Sequence, residues 1–121
     1  MTHHHKIHYV ELPTQDLEAT KLFFQQVFNF EFVDYGPEYS AFEQAQHGID
    51  GGFFKAEAVA RTENGSALIV LYSDALEQTE AAVTAHGGVI CMPTFSFPGG
   101  RRFHFIEPGG SELAVWTQAK P

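Results

Sequence analysis

At 121 residues the chain has room for one domain, which on folding hides roughly 65% of the surface its unfolded form exposes. Its 44% hydrophobic and 18% charged residues exclude a disordered chain and a fibrous or coiled-coil rod, and no apolar run reaches the ~18–20 residues that a membrane helix needs. A net charge of −8, from 15 acids against 7 bases with the histidines neutral, repels phosphate backbones and anionic lipid surfaces, so neither nucleic acid nor membrane is an expected partner.

In chain order, His3, His4 and His5 read as a frayed, solvated start. The opening residues lack the apolar stretch of a signal peptide, which reads as a cytoplasmic protein. Residues 6–12 form a strand, and residues 13–16 turn into a helix over about 17–28. Leu17, Phe24, Val27 and Phe28 make its apolar stripe, with Phe23 at the edge. Three short β runs follow at 30–35, 39–45 and 51–56, separated by turn formers at Gly36-Pro37 and His47-Gly48. The arrangement then repeats. Residues 66–73 are a strand, and Asp74 with Glu77 fits a capping box opening a helix in which Leu76, Thr79 and Val83 share a face. Gly87-Gly88 ends that helix. Three β runs at 89–97, 101–107 and 111–116 follow, divided by Pro98-Gly99-Gly100 and Pro108-Gly109-Gly110. The sum is one domain over 1–121 containing two βαβββ modules, at about 6–56 and 66–118, and an α+β class. Cys91, the sole cysteine, excludes an internal disulfide or thiolate cluster and reads as a small buried hydrophobe. The 98–102 loop serves a hairpin, and its glycines and arginines also resemble an anion-receptive nest.

Residues 74–116, with residues 10–32 agreeing, carry a familiar set of features. Asp16 opens a helix that holds the aromatic pair Phe23-Phe24, Gly87-Gly88 precedes a β run, and Glu107-Pro108-Gly109-Gly110 closes a turn of D-P-x-G type. With these the chain resembles the glyoxalase I, bleomycin-resistance protein and extradiol dioxygenase superfamily, also called vicinal oxygen chelate. The resemblance implies that the modules curl into a curved, partly open eight-stranded barrel-like sheet with helices outside. It also implies an active site on the concave face and completion as a homodimer.

Enzymes of that superfamily hold a divalent metal with His, Gln or Glu side chains. Counting from the shared turns, the corresponding positions here fall on Tyr9, Gly52, Leu68 and Ala114, which are not a competent donor set for such a cation. The expected cofactor is therefore none. A divalent metal held through His8, Asp50 or Glu112 is the alternative, reached by a small shift in register. Strand parity sets His8 with Val10 and Leu12, under the helices, and Tyr9 with Glu11 on the concave side. Glu112 reads as a solvated strand end and Asp50 as a loop carboxylate.

Parity gives the concave lining as Tyr9, Glu11, Leu68, Val70, Tyr72, Arg102, His104, Ala114 and Trp116, with Phe103, Phe105, Leu113 and Val115 turned toward the helices. Aromatic and aliphatic walls with a few polar groups have the composition of a small-molecule site, and also of a filled barrel interior. Glu11 and His104 are the candidate catalytic residues, a carboxylate and an imidazole able to act as an acid/base pair. Arg102 orients an anionic ligand group or pairs with Glu11. The leading expectation is a metal-free protein that binds a small organic molecule, a cationic drug being suited to the acidic net charge. The alternatives are a lyase, isomerase or dioxygenase using either the metal or the Glu11/His104 pair, and a protein-interaction module.

Overall fold

The computed structural model describes residues 4–44 and 48–120; His3 and the turn residue His47 lie outside them. The first module runs β1 (Tyr9–Thr14), α1 (Leu17–Phe28), β2 (Phe32–Asp34), β3 (Tyr39–Phe42) and β4 (Asp50–Lys55). The second runs β5 (Ile69–Tyr72), α2 (Leu76–Ala85), β6 (Val89–Phe97), β7 (Gly100–Ile106) and β8 (Glu112–Gln118). The α+β class and the repeated βαβββ order hold. The eight strands form two four-stranded sheets, ordered β1-β4-β3-β2 and β5-β8-β7-β6, with no closed barrel. In each sheet the strand before the helix pairs in parallel with the last strand, and the remaining pairs are antiparallel. The first strand starts at Tyr9 rather than Lys6 because its ladder partner β4 begins at Asp50, opposite Tyr9. No helix among the described residues is long and apolar enough to cross a membrane.

Helix α1 starts where Asp16, in extended conformation, accepts the backbone N–H of Ala19, and it ends at Asn29 in the left-handed region. Its apolar stripe is wider than the periodicity gives. Phe23 is as buried as Phe24, while Val27 and Phe28 are only partly covered. The reason is that α1 serves both sheets. Phe24 stacks near Phe53 of β4 at 5.1 Å between ring centroids, and Phe23 meets Phe105 of β7 at 5.7 Å. Adjacent helical residues point about 100° apart, so each ring reaches a different sheet. Leu12, Phe42, Phe53, Phe103, Phe105, Leu113 and Val115 complete one continuous core.

The Asp74/Glu77 capping box does not form. Ala75 occupies the cap position, the Ser73 hydroxyl accepts the Ala75 N–H and bonds to Thr79, and Glu77 instead pairs with Arg101. Gly87 does adopt the left-handed conformation expected after α2, at φ +98°. Cys91 is exposed rather than buried. It lies on the edge strand β6, where the register with β7 shifts on either side of Met92.

One buried carboxylate ties the modules together. The Thr20 hydroxyl of α1 donates to Glu107 Oε1 at 2.7 Å, and the backbone N–H groups of Gly109 and Ser111 donate to its two oxygens. Burial pushes the Glu107 carboxyl above its ordinary range, and these three donors only partly offset it. A side chain at Gly109 would collide with the Thr14 and Thr20 hydroxyls, so the turn requires glycine there.

Candidate functional site

The structure places the lining residues as parity anticipates, but on two separate surfaces. On the first sheet, Val10 and Leu12 pack into the core, and Tyr9 and Glu11 lie exposed on the opposite face. There the Tyr9 and Tyr39 hydroxyls are 2.6 Å apart, and Tyr39 donates to Glu11 Oε2 at 2.8 Å. Tyr39 lies over Gly52, where any side chain would strike its phenol oxygen. Burial, the Tyr9 hydroxyl and the Glu11 carboxylate together hold the Tyr39 phenol above its ordinary value.

On the second sheet, Phe103, Phe105, Leu113 and Val115 turn toward the helices and are all but fully buried. The opposite face carries Val70 and Tyr72 of β5, Ala114 and Trp116 of β8, and Arg102 and His104 of β7, with Leu68 just before β5. Tyr72 meets the Trp116 ring edge-on at 5.1 Å between centroids, and Phe97 of β6 lies 6.2 Å from it. Val70 and Tyr72 are 41% and 45% exposed, whereas His104 and Ala114 are 3% and 0% exposed, so this face is open along β5 and covered over the β7–β8 pair. Two depressions, of about 600 and 400 Å³, border Gln15, Lys55 and Glu57 in one case and Phe30, Tyr35 and Gln44 in the other. Neither includes a lining residue.

His104 Nδ1 is 2.7 Å from Glu112 Oε2, with the two residues 3% and 6% exposed. The backbone N–H and hydroxyl of Thr62, in the short 3-10 turn Thr62–Asn64, both donate to Glu112 Oε1, at 2.8 and 3.0 Å. Burial alone would raise the Glu112 carboxyl. The hydrogen bonds from His104 and Thr62 outweigh it and hold the group below the ordinary carboxylate range. An ionised carboxylate only accepts, so Nδ1 carries the shared proton, and Nε2 on the far side of the ring is left without a partner.

The partners of Glu11, Arg102 and Glu112 all differ from those expected. Glu11 and His104 are not joined; Glu11 is engaged by Tyr39 on the other sheet. Arg102 does not pair with Glu11 but lies over Phe95 and Phe97, at 5.4 and 5.8 Å from the ring centroids. Glu112 is no solvated strand end. His104 faces Ala114 and Ile106 faces Glu112, so the carboxylate sits diagonally across the β7–β8 hairpin from the imidazole. That diagonal was readable from the hairpin's turn residues, whereas Thr62, fifty residues away in the connecting segment, gave no signal.

His104 Nε2 and Arg102 Nε are both buried and have no hydrogen-bond partner among the described residues. They project from the same face of β7, two residues apart. A buried polar atom left without a partner costs roughly 1–3 kcal/mol, which makes such a pair a mark of a missing contact.

The four positions of the superfamily's metal donors do not fit a divalent cation, because glycine, leucine and alanine side chains offer no donor atoms. Of the alternative ligands, Asp50 accepts the backbone N–H of Gln44, His8 lies exposed before β1, and Glu112 belongs to the second sheet. Among the described residues no three His, Cys, Asp or Glu side chains converge to hold a metal ion.

A model of the Glyoxalase/Bleomycin resistance protein/Dioxygenase superfamily matches residues 6–115. Among solved structures, the chain is similar to a glyoxalase/bleomycin resistance protein/dioxygenase family enzyme from Burkholderia phytofirmans PsJN. Identity there is 14% and the TM-score 0.76, covering 94% of this chain and 99% of that one. A glyoxalase-related enzyme from Fulvimarina pelagi is 22% identical, with a TM-score of 0.75 and coverage of 94% and 88%. A lactoylglutathione lyase from Agrobacterium tumefaciens is 18% identical, with a TM-score of 0.69 and 93% of each chain covered. No curated protein matches the chain. At these identities the solved structures establish a shared fold.

Proposed function

Because the chain belongs to the Glyoxalase/Bleomycin resistance protein/Dioxygenase superfamily yet lacks donor atoms at most of the inherited metal positions, we propose that it binds a small organic molecule without metal. The site is the open face of β5–β8. The observation that carries this reading is the buried, unpartnered Nε2 of His104, held in place by Glu112, with the Phe95 ring 6.1 Å from the imidazole and Trp116 and Phe97 farther along the same face, beside Arg102. Polar atoms prepositioned among aromatic walls are the usual anatomy of a ligand site. A second copy of the chain closes this face over Val70 and Tyr72, giving a homodimer.

Trp116 is the sole tryptophan and lies on this face, so its emission reports on occupancy directly. Titration of small aromatic compounds is expected to change that emission saturably, with His104→Ala weakening the response. Compounds that leave Trp116 silent, or stoichiometric uptake of Zn²⁺, Ni²⁺, Mn²⁺ or Fe²⁺ in equilibrium dialysis, would overturn the reading.

The Glu112–His104 contact favours a second reading, proton transfer, with Glu112 rather than Glu11 as the partner of His104. A carboxylate fixing Nδ1–H leaves Nε2 free to take a proton from carbon beside a carbonyl. The C–H electron pair passes into the enolate, and the proton returns from Nε2. Exchange of deuterium from solvent into small keto compounds, followed by proton NMR, is expected to be faster with the protein than with its His104→Gln variant. Equal rates would remove this reading.

A further inference from the structure

The second sheet's face also indicates the charge of its occupant. Arg102 is half-buried, and among the described residues its guanidinium forms no ion pair and no hydrogen bond. Lys55 of β4 points into solvent, whereas three other cationic side chains near the sheets are engaged. Arg101 pairs with Glu77, Lys21 with Glu18 and Asp34, and the Arg61 side chain donates to the Gly110 carbonyl. In a chain of net charge −8 carboxylates are plentiful, yet none lies against this guanidinium. Glu112, the carboxylate that shares this face of β7–β8, is already committed to His104 and Thr62. Phe95 and Phe97 support the guanidinium from one side, which orients it but supplies no acceptor for its N–H groups.

The aromatic wall stands beside this cation. Arg102 and Trp116 are cross-strand partners, and Tyr72 pairs across from Trp116 on the next strand. A ligand whose oxyanion meets Arg102 therefore lays its body against Trp116 and Tyr72.

Resting on the small-molecule reading above, we propose that the occupant is a small organic anion, a carboxylate carried on a flat apolar body. Its carboxylate engages the Arg102 guanidinium, whose fork of donors suits two oxygens, and its ring stacks on the Trp116 side. The local charge here is opposite in sign to the net charge of the chain. Field sign at long range sets encounter rates, whereas the contact group sets which ligand stays.

The test uses three probes of one shape: 2-naphthoate, neutral 2-naphthamide and cationic 2-naphthamidine. Binding to the full chain is followed through the single Trp116 indole N–H signal in ¹H–¹⁵N spectra. 2-Naphthoate is expected to bind roughly ten- to a hundredfold more tightly than the amide, the range that a hydrogen bond to a charged group contributes. Arg102→Met should bring the two within about twofold, and Arg102→Lys should keep part of the difference because it retains charge without the fork. The wild-type comparison needs no variant, so misfolding of Arg102→Met would leave the proposal testable. Equal binding of acid and amide, or tightest binding of the amidine, would overturn the anion while leaving the small-molecule site intact. Silence of all three at Trp116 would overturn both.

Discussion

The two open sheet faces are built from the same strand order and end in opposite states. On the first, Tyr39 lies over Gly52, and Tyr9, Tyr39 and Glu11 satisfy one another at the surface. On the second, a buried carboxylate pins an imidazole and leaves His104 Nε2 and Arg102 Nε without partners. A duplicated module thus keeps its backbone pairing in both copies while the polar groups of only one are left without partners among the described residues. Backbone ladders and the phenylalanine core hold the fold, so the face residues are free to diverge.

The sharpest way to break this contrast is to remove the carboxylate from each face. Glu112→Ala strands the His104 N–H and the Thr62 N–H in a buried setting and is expected to cost about 3 kcal/mol in urea unfolding. Glu11→Ala, on the exposed face, should change stability by no more than about 0.5 kcal/mol. Similar costs for the two would erase the distinction.

A smaller effect separates the two buried glutamates by pH. The Glu112 carboxyl sits below its unfolded value, so its stabilisation is complete above the ordinary carboxylate range and is lost as pH falls through the folded value. The Glu107 carboxyl is raised, so its contribution is complete below that range and declines as pH rises through the folded value. Urea midpoints from about pH 3 to 7 should accordingly show a flatter acid loss in Glu112→Gln and a smaller decline toward neutrality in Glu107→Gln. Parallel profiles for both variants would contradict the assignment.

A further effect lies on the first face. Gly52→Ala forces Tyr39 from its place, at about 1–2 kcal/mol, because the clash is with the far end of the phenol ring, which can swing outward. Ultraviolet titration should then show the raised tyrosine moving back toward the ordinary phenol value. An unchanged titration would mean that Tyr39 does not lie where the contrast requires.

The elements and their faces were legible in the sequence because they depend on short-range rules. Alternation sent Phe103, Phe105, Leu113 and Val115 inward, Asp16 capped α1, and Gly87 took the left-handed turn. The equal burial of Phe23 and Phe24 was not legible, since it follows from α1 touching both sheets. The Asp74 cap failed because Ser73 and Thr79 supply a competing bond. At the site, parity brought out His104, Arg102 and Trp116, but their partners come from elsewhere. Glu112 is engaged by the distant Thr62 turn, and sequence spacing carries no record of that contact.

The contrast between the faces turns on the state of one ring. Long-range ¹H–¹⁵N spectra of His104 in its neutral form read which nitrogen bears the proton. A protonated Nδ1 with a bare Nε2 is the expected result, since Glu112 can only accept. A proton on Nε2, with Nδ1 bare, would mean that Glu112 does not hold the imidazole and that the second face has no prepositioned acceptor to offer.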